Sequence, residues 1–500
     1  MGSSLSLAPL NYFFINFITF TLFFLFLIKK SDLQKNKNLF FIYGWLFGFG
    51  YFATNLYWIS ISLTFDQDFK FLIPLTVFLI PFFLSMFYGL VSYFFIILKP
   101  KKLISSLLVF SLIFGIVEFI RGLILTGFPW NLIVYSLSSQ LEILSITSII
   151  GTYGLNLICI TLFTSPVILI LKKTKKEIGI FIFFFITTMF FYFYGHFYKE
   201  RFYKSDKKTY QYKVRVIGSN ISIDRFYLKS DSILIVENLI KLSNPNDNEK
   251  TIFIWPEGIL QNISQKDYGR YKILFSENFT TNHVLIIGTN NQFIINKNKE
   301  YFNSLSIYDN ELNLLETYNK INLVPFGEFL PIENILEKIG LKTLTNSYQS
   351  FSKGNKRKII EIKKNKFSLK ILPLICYEII YSGRLFEDSN FDLIVNISED
   401  GWFGNSIGPK QHFNHSILRA IESGKYVVRS SNNGIAAIIN PLGIIEQSIN
   451  FGQSGYIDLK EKREIQPTIF STYGNKIFGL LILMYIFLIF SFNKINNEQS

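Results

Sequence analysis

The sequence predicts a membrane α-helical bundle of about seven spans joined to an external α/β domain. Three observations carry this prediction. Of the 500 residues 49% are hydrophobic and 17% aromatic, the longest apolar runs gather at the two ends of the chain, and from Lys213 onward the runs shorten and alternate with polar, helix-length segments.

A hydrocarbon core about 30 Å thick needs roughly 20 apolar helical residues. Seven stretches meet that length: 10–28, 39–62, 73–98, 103–125, 143–171, 178–195 and 473–491. The fifth is long enough to tilt or bend. The first lacks a basic start and is followed by Lys29 and Lys30 rather than a small-residue cleavage site, so it counts as a span and not a cleaved signal.

If the seven spans alternate, the basic loops fall on one side: Lys29, Lys30, Lys35 and Lys37; Lys99, Lys101 and Lys102; Lys172, Lys173, Lys175 and Lys176. The excess of positive charge assigns that side to the cytoplasm. The segment 196–472 then lies outside and the tail after Phe492 inside. The expected divisions are a six-span region at 1–196, an α/β domain at 210–465 and a closing span at 473–491.

The net charge of +14 follows from those loops and a Lys-, Asn- and Ile-rich composition. No basic and aromatic recognition module accompanies it, so nucleic acid is not expected as a partner. Cys159, in the fifth span, and Cys376, in the domain, are the only cysteines. They sit in different environments, and no disulfide between them is expected.

In the domain, apolar runs read as strands at 213 (KVRVIGS), 251 (TIFIW), 283 (HVLIIGT), 303 (NSLSIYD), 369 (LKILPLIC), 391 (FDLIVNIS), 425 (KYVVRSS) and 435 (IAAIIN). Eight short strands fit two packed sheets. Helical spacing marks the stretches beginning at 228 and 411, and Gly424 supplies a stop for the second. The segment 330–364 is too long for a simple connection and reads as a lid or as disorder.

Three strands end in a reactive residue: Glu257 follows IFIWP, Cys376 follows ILPLI, and the loop SEDGWFG, containing Trp402, follows LIVNI. Ligands in α/β folds gather beyond the carboxyl ends of strands, which would bring these ends to one crevice. YNKINLVPFGEF adds Lys320 and Glu328 around a turn. Each residue also has a structural reading: a lone cysteine is usually a small buried hydrophobe, and Lys320 is one of 50 basic residues. His196, His283, His412 and His415 lack an obvious Cys-His-Asn context, and neither metal-ligand spacing nor a GxSxG elbow occurs. Glu257, Lys320 and Cys376 are left as the reactive set.

WPEG, YNKINLVPFGEFLP, ICYE and the long NISEDGWFGNSIGPKQHFNHSILRAIESGKYVVRSSNNG closely resemble the carbon-nitrogen hydrolase (nitrilase) superfamily and, within it, the apolipoprotein N-acyltransferase family. EFIRGLILTGFPW at 118–130 extends the resemblance into the membrane region. The resemblance implies an α-β-β-α nitrilase-like sandwich and a triad of Glu257 as general base, Lys320 as electrostatic support and Cys376 as nucleophile. Glu328, Tyr377, Glu378 and Trp402 match positions that support the site or help position substrates.

It further implies a multi-pass protein of the bacterial inner membrane with a periplasmic catalytic domain, acting as a monomer without metal or soluble cofactor. The implied acyl donor is a phospholipid such as phosphatidylethanolamine, and the implied acceptor is a diacylglyceryl apolipoprotein.

Two departures stand out. The chain begins where the second helix of the family pattern begins, giving seven spans for the usual eight. Gly218 and Tyr227 in GSNISIDRFY replace a Gln and, nearby, a Trp. Glu118 and Arg121, three residues apart within a span, fit either an ion pair or a headgroup site. The rival readings are a membrane-tethered amidase with the same triad and a non-enzymatic scaffold.

Overall fold

The computed structural model describes residues 1–171, 174–226, 232–259, 269, 271–295, 298–331, 350–364, 367–385 and 388–494. Among these, six helices are long and apolar enough to cross a membrane: Asn38–Thr64, Phe69–Leu98, Leu103–Arg121, Thr147–Leu171, Glu177–Lys204 and Lys476–Lys494. The first expected span also forms a helix, Ile15–Leu33. Lys29, Lys30 and Asp32 occupy its last turns, so its uncharged part stops at Ile28 and is short for a bilayer core. It packs into the bundle nonetheless, through the fully buried Phe20, Phe24 and Leu27.

The bundle is held largely by aromatic packing, as where Phe23 stacks on Phe47 at 4.1 Å. The fifth expected span is interrupted at Gly151, whose φ of +68° breaks the helix Thr147–Thr164. Lys99 contacts Ser31 at 2.5 Å and Asp32 at 3.8 Å, and Lys102 donates to the carbonyl of Asn493. These loops therefore share one end of the bundle. At its opposite end, the helix Leu103–Arg121 runs into the loop 122–130. Of the basic loops, Lys172 and Lys173 lie outside the described residues.

Glu118 and Arg121 form a buried ion pair at 3.3 Å. Glu118 also accepts from Tyr88 (2.9 Å) and Asn156 (2.6 Å), and Arg121 donates to the carbonyl of Phe128. Of the two expected alternatives the geometry favours a structural pair, one that ties three helices and the loop 122–130 together.

The domain contains twelve strands among the described residues: β1 Lys207–Gly218, β2 Thr251–Ile254, β3 His283–Ile295, β4 Asn298–Asp309, β5 Leu314–Asn319, β6 Ile360–Lys364, β7 Phe367–Ile375, β8 Leu393–Glu399, β9 Tyr426–Asn432, β10 Ala436–Ile439, β11 Ile445–Ile449 and β12 Gly455–Arg463. They form two six-stranded sheets, ordered β12-β1-β2-β3-β4-β5 and β11-β10-β9-β8-β7-β6. The neighbours β1-β2-β3 and β7-β8-β9 are parallel. All eight expected strands are present. The four that sequence reading missed, β5, β6, β11 and β12, are the four sheet edges. An edge strand is solvated on one flank and needs no apolar alternation, as LLETYN and GYIDLKEKR illustrate.

The inner faces meet through alternating residues such as Val214, Val216, Ile252 and Ile254 against Leu393, Val395, Ile397 and Val428. The outer face of the first sheet is covered by the helix Ser232–Ser243 through Val236, Leu239 and Ile240. The second is covered by the helix Gly408–Ser423, which Gly424 ends at φ +67° as expected. That helix belongs to the same apolar cluster as the membrane bundle. The result is an α-β-β-α sandwich whose second helical layer is also the floor on which the bundle rests. Of the expected lid, residues 332–349 lie outside the described residues, and β6 and part of the approach to it account for 350–364.

Candidate active site

The two sheets bring the reactive strand ends together. Glu257 lies just past β2, Lys320 follows β5, Cys376 follows β7, and Glu399 ends β8. A Cβ at Gly288 would lie 2.6 Å from Glu257 Cα, so the absence of a side chain on β3 lets the Trp255–Glu257 backbone close over the neighbouring strand. At the same end, Ser430 Oγ on β9 donates to the carbonyls of Ile217 (2.6 Å) and Ile254 (3.1 Å), joining the sheets.

Glu257, Lys320 and Cys376 are only 6%, 1% and 8% exposed. Lys320 Nζ stands 3.3 Å from Glu257 and 2.8 Å from Glu328. Asn303 Nδ2 donates to both carboxylates, at 2.6 Å to Glu257 and 2.7 Å to Glu328. The second Glu257 oxygen accepts the Glu399 N–H at 3.1 Å, and the second Glu328 oxygen accepts the Val324 N–H at 2.8 Å. Every carboxylate oxygen thus has a fixed donor, as ionised groups out of water require.

This electrostatic balance sets the protonation states. Burial, reinforced by the charge of Glu257 and opposed by Lys320, pushes the Cys376 thiol well above its ordinary value. Burial also raises Glu257, with Lys320 opposing and Glu328 adding to the rise. For Lys320, burial favours the neutral amine, but Glu257, Glu328 and Cys376 together outweigh it and hold the ammonium charged. The resting arrangement is a neutral thiol beside a lysine ammonium that lies between Glu257 and Glu328.

Cys376 itself has φ +48°, a left-handed backbone unusual for a side chain with a Cβ, and opens the short helical turn Cys376–Ile380. Glu378 is fully buried and holds this turn in place. One oxygen accepts from Tyr318 (2.8 Å), Ile321 N–H (3.0 Å), Asn322 N–H (3.2 Å) and Arg357 (2.9 Å), and the other accepts from Ile375 N–H (2.9 Å). It acts as a support that couples the Cys376 turn to the segment after Lys320. Tyr377 points its hydroxyl away from the carboxylates, to the carbonyl of Gly127 in the membrane loop at 3.0 Å. Trp402 is half-buried, its ring 6.2 Å from Phe65 of the membrane region.

Sequence reading missed Asn303 and His412 as parts of this site, and took in Asp400 only as a member of the loop SEDGWFG. Asn303 lay in view at the head of a strand, but only its register shows that it faces Lys320, whose N–H donates to the Asn303 carbonyl at 2.8 Å. His412 Nδ1 lies 2.9 Å from Asp400 and its Nε2 3.3 Å from the Cys376 carbonyl. Gly218 also acquires a reason: a Cβ there would lie 2.9 Å from Ile449 and 3.1 Å from Ala436, leaving little room for the Gln of the family pattern. Tyr227 lies outside the described residues.

Residues 1–165 match the family of the apolipoprotein N-acyltransferase N-terminal domain, and residues 263–459 match the carbon-nitrogen hydrolase family. The chain is 34% identical over 500 residues to the apolipoprotein N-acyltransferase of Rickettsia prowazekii, covering 97% of this chain and 95% of that protein. It is 30% identical over 504 residues to that of Rhodopseudomonas palustris, covering 97% and 92%. Among solved structures, Nit3 of Saccharomyces cerevisiae, a nitrilase-superfamily member, is 16% identical over 51% of this chain and 93% of that one, with a TM-score of 0.34, too slight a likeness to build on. On sequence similarity along nearly its whole length, this chain belongs to the apolipoprotein N-acyltransferase family.

Proposed function

We propose that the protein moves a fatty acyl group from a phospholipid to the free α-amino group of a diacylglyceryl-cysteine at the amino terminus of an apolipoprotein, through a thioester on Cys376. The observation that carries this reading is the gathering of Glu257, Lys320 and Cys376 from three strand ends into one nearly dry cluster, in a chain whose relatives bear that activity as their name.

In the first half-reaction Glu257 takes the proton of the Cys376 thiol, and the thiolate attacks the ester carbonyl of the phospholipid. Lys320 and the Tyr377 backbone N–H stabilise the oxyanion; losing one such donor typically costs on the order of 100- to 1000-fold in rate. The C–O bond breaks, the lysophospholipid oxygen takes the proton from Glu257, and an acyl thioester remains. In the second half-reaction the lipoprotein amine attacks the thioester, Glu257 accepts the amine proton, and the C–S bond breaks to leave an amide and a thiolate that is reprotonated. Lys320 and Glu328 transfer no proton in either half; they shape the charge around Glu257.

Transfer in place of hydrolysis requires that water be kept from the thioester, and the burial of Cys376, Lys320 and Glu257 supports this. Membrane attachment has its own reason, because drawing an acyl chain into water costs about 0.8 kcal/mol per CH₂. We place the domain on the periplasmic side of the bacterial inner membrane. This is supported by the basic loops at the bundle end opposite the loop 122–130 that meets Tyr377. The enzyme acts as a monomer with phosphatidylethanolamine as donor, and the functional divisions are 1–196, 210–465 and 473–491.

The test is intact mass measurement of the purified protein in detergent with phosphatidylethanolamine, followed by a diacylglyceryl lipopeptide with a free amino terminus. An acyl-sized mass on the Cys376 peptide, discharged by the lipopeptide and absent in Cys376→Ala, is the expected outcome. An adduct that water discharges as fast as lipopeptide does would turn the reading to an amidase. A fully active Cys376→Ala protein would leave only a scaffold role for the triad.

A further inference from the structure

Behind the candidate nucleophile lies a second buried cluster that the reaction as written does not use. Asp400, His412 and Arg429 are each fully buried. Asp400 accepts from Ser398 at 2.7 Å and from Arg429 at 2.8 and 3.0 Å. Arg429 also donates to Asn396, whose amide donates to the Leu374 carbonyl at 3.1 Å. The cluster therefore ties β7, β8 and β9 together beneath Cys376.

His412 connects this cluster to the nucleophile. Its Nε2 lies 3.3 Å from the Cys376 carbonyl oxygen. A carbonyl can only accept, so Nε2 is the donor in that contact. Nδ1 then accepts from Arg429 at 3.1 Å, and the same guanidinium nitrogen donates to the Asp400 carboxylate at 2.8 and 3.0 Å, so the Asp400-anchored arginine fixes the direction in which the ring points. The plane of the ring is set from the membrane side: Trp130 stacks on it at 5.3 Å and 23°, and Trp130 is itself held by a 2.9 Å bond to Gln411.

A left-handed backbone at a residue other than glycine is held only where its surroundings over-determine it. At Cys376, with φ +48°, the carbonyl sets the direction of the peptide plane leaving the residue, and its contact with His412 restrains that plane. We infer that His412 is a positioning residue for the acyl transfer, holding the strained backbone of Cys376 through its carbonyl, with the ring clamped between the Asp400–Arg429 pair and Trp130 of the membrane loop. The nucleophile's aim is thereby set partly by the membrane region.

This rests on Cys376 being the nucleophile. The test uses full-length protein in detergent and compares His412→Gln, whose amide reaches as far as Nε2, with His412→Asn, which is too short. Thioester formation is followed against phospholipid concentration, together with alkylation of Cys376 by iodoacetamide. A misplacement of about 1 Å costs roughly 100-fold in rate, so His412→Asn is expected to lose about that at saturating phospholipid, with half-saturation unchanged and altered alkylation. His412→Gln is expected to recover most of the loss. Equal losses in the two variants, no loss in either, or a loss confined to half-saturation would overturn the inference. If His412→Asn does not accumulate, Trp130→Leu tests the same clamp, and wild-type thioester formation and alkylation in that protein would overturn it. A Cys376→Ala protein run alongside separates the two failures: if it retains activity, the nucleophile assignment itself is wrong.

Discussion

The Lys320 ammonium stands closer to Glu328, at 2.8 Å, than to Glu257, at 3.3 Å. The carboxylate nearest the lysine is therefore the one given no proton to carry, and the candidate base shares its counter-charge. Glu328 raises the proton affinity of Glu257, after the larger effect of burial.

Removing the Glu328 charge should lower the pKa of Glu257. Glu257 must be ionised to accept the thiol proton, so thioester formation falls as pH drops through its pKa. In the wild type this acid limb is expected above the ordinary carboxylate value of 4.5. In Glu328→Gln the limb should move to lower pH. The pH profile of thioester formation checks this, and an unmoved or upward-moving limb contradicts it.

Asn303 supplies one amide nitrogen to two carboxylates. Hydrogen bonds to charged groups contribute about 1.5–3 kcal/mol, so Asn303→Ala is expected to slow thioester formation by roughly 10- to 100-fold at one decade per 1.36 kcal/mol. Single-turnover kinetics with phospholipid alone, before any acceptor is added, isolates the affected step.

Glu422, on the helix shared by sandwich and bundle, accepts the Thr152 N–H at 2.7 Å beside the break at Gly151 and lies 3.0 Å from Arg419. Truncating one partner of a buried ion pair typically costs about 3–5 kcal/mol. Glu422→Ala should lower the thermal unfolding midpoint in detergent markedly, and a midpoint equal to wild type would show that the junction is not held there.

The Gly127 carbonyl accepts from Tyr377 at 3.0 Å and from Tyr381 at 3.3 Å, and Tyr381 also donates to Thr126 at 2.9 Å. With one donor remaining in each single variant, Tyr377→Phe and Tyr381→Phe should each cost no more than about 1 kcal/mol. The double variant should cost more than the sum by about 0.5 kcal/mol or more, because the carbonyl is then buried without a partner. A double-mutant cycle on unfolding free energies measures this coupling.

The sequence made the interior of the domain legible and hid its margins. Ile252 to Trp255 and Val284 to Ile287 stand out because strands buried on both faces are continuously apolar. Edge strands such as IEQSI carry no such mark. The three candidate residues were visible because each follows an apolar strand or opens a turn. Asn303, Asp400 and His412 were not visible as a set, since cross-strand register and helix packing bring them to the triad. The first helix was legible as apolar, but the charges at Lys29, Lys30 and Asp32 limit the length it can offer a bilayer.

The helix Gly408–Ser423 serves as outer layer of the sandwich and as floor of the bundle. During synthesis, five of the apolar helices long enough to span a membrane leave the ribosome more than 200 residues before it does. The flank of the bundle it covers therefore stays bare until the sandwich has folded against it, and a greasy surface waiting for its cover is prone to wrong partners. Biogenesis thus has an order imposed by architecture: the membrane half is inserted first but is finished last, and a chain stalled between the two is the form that quality-control proteases would meet.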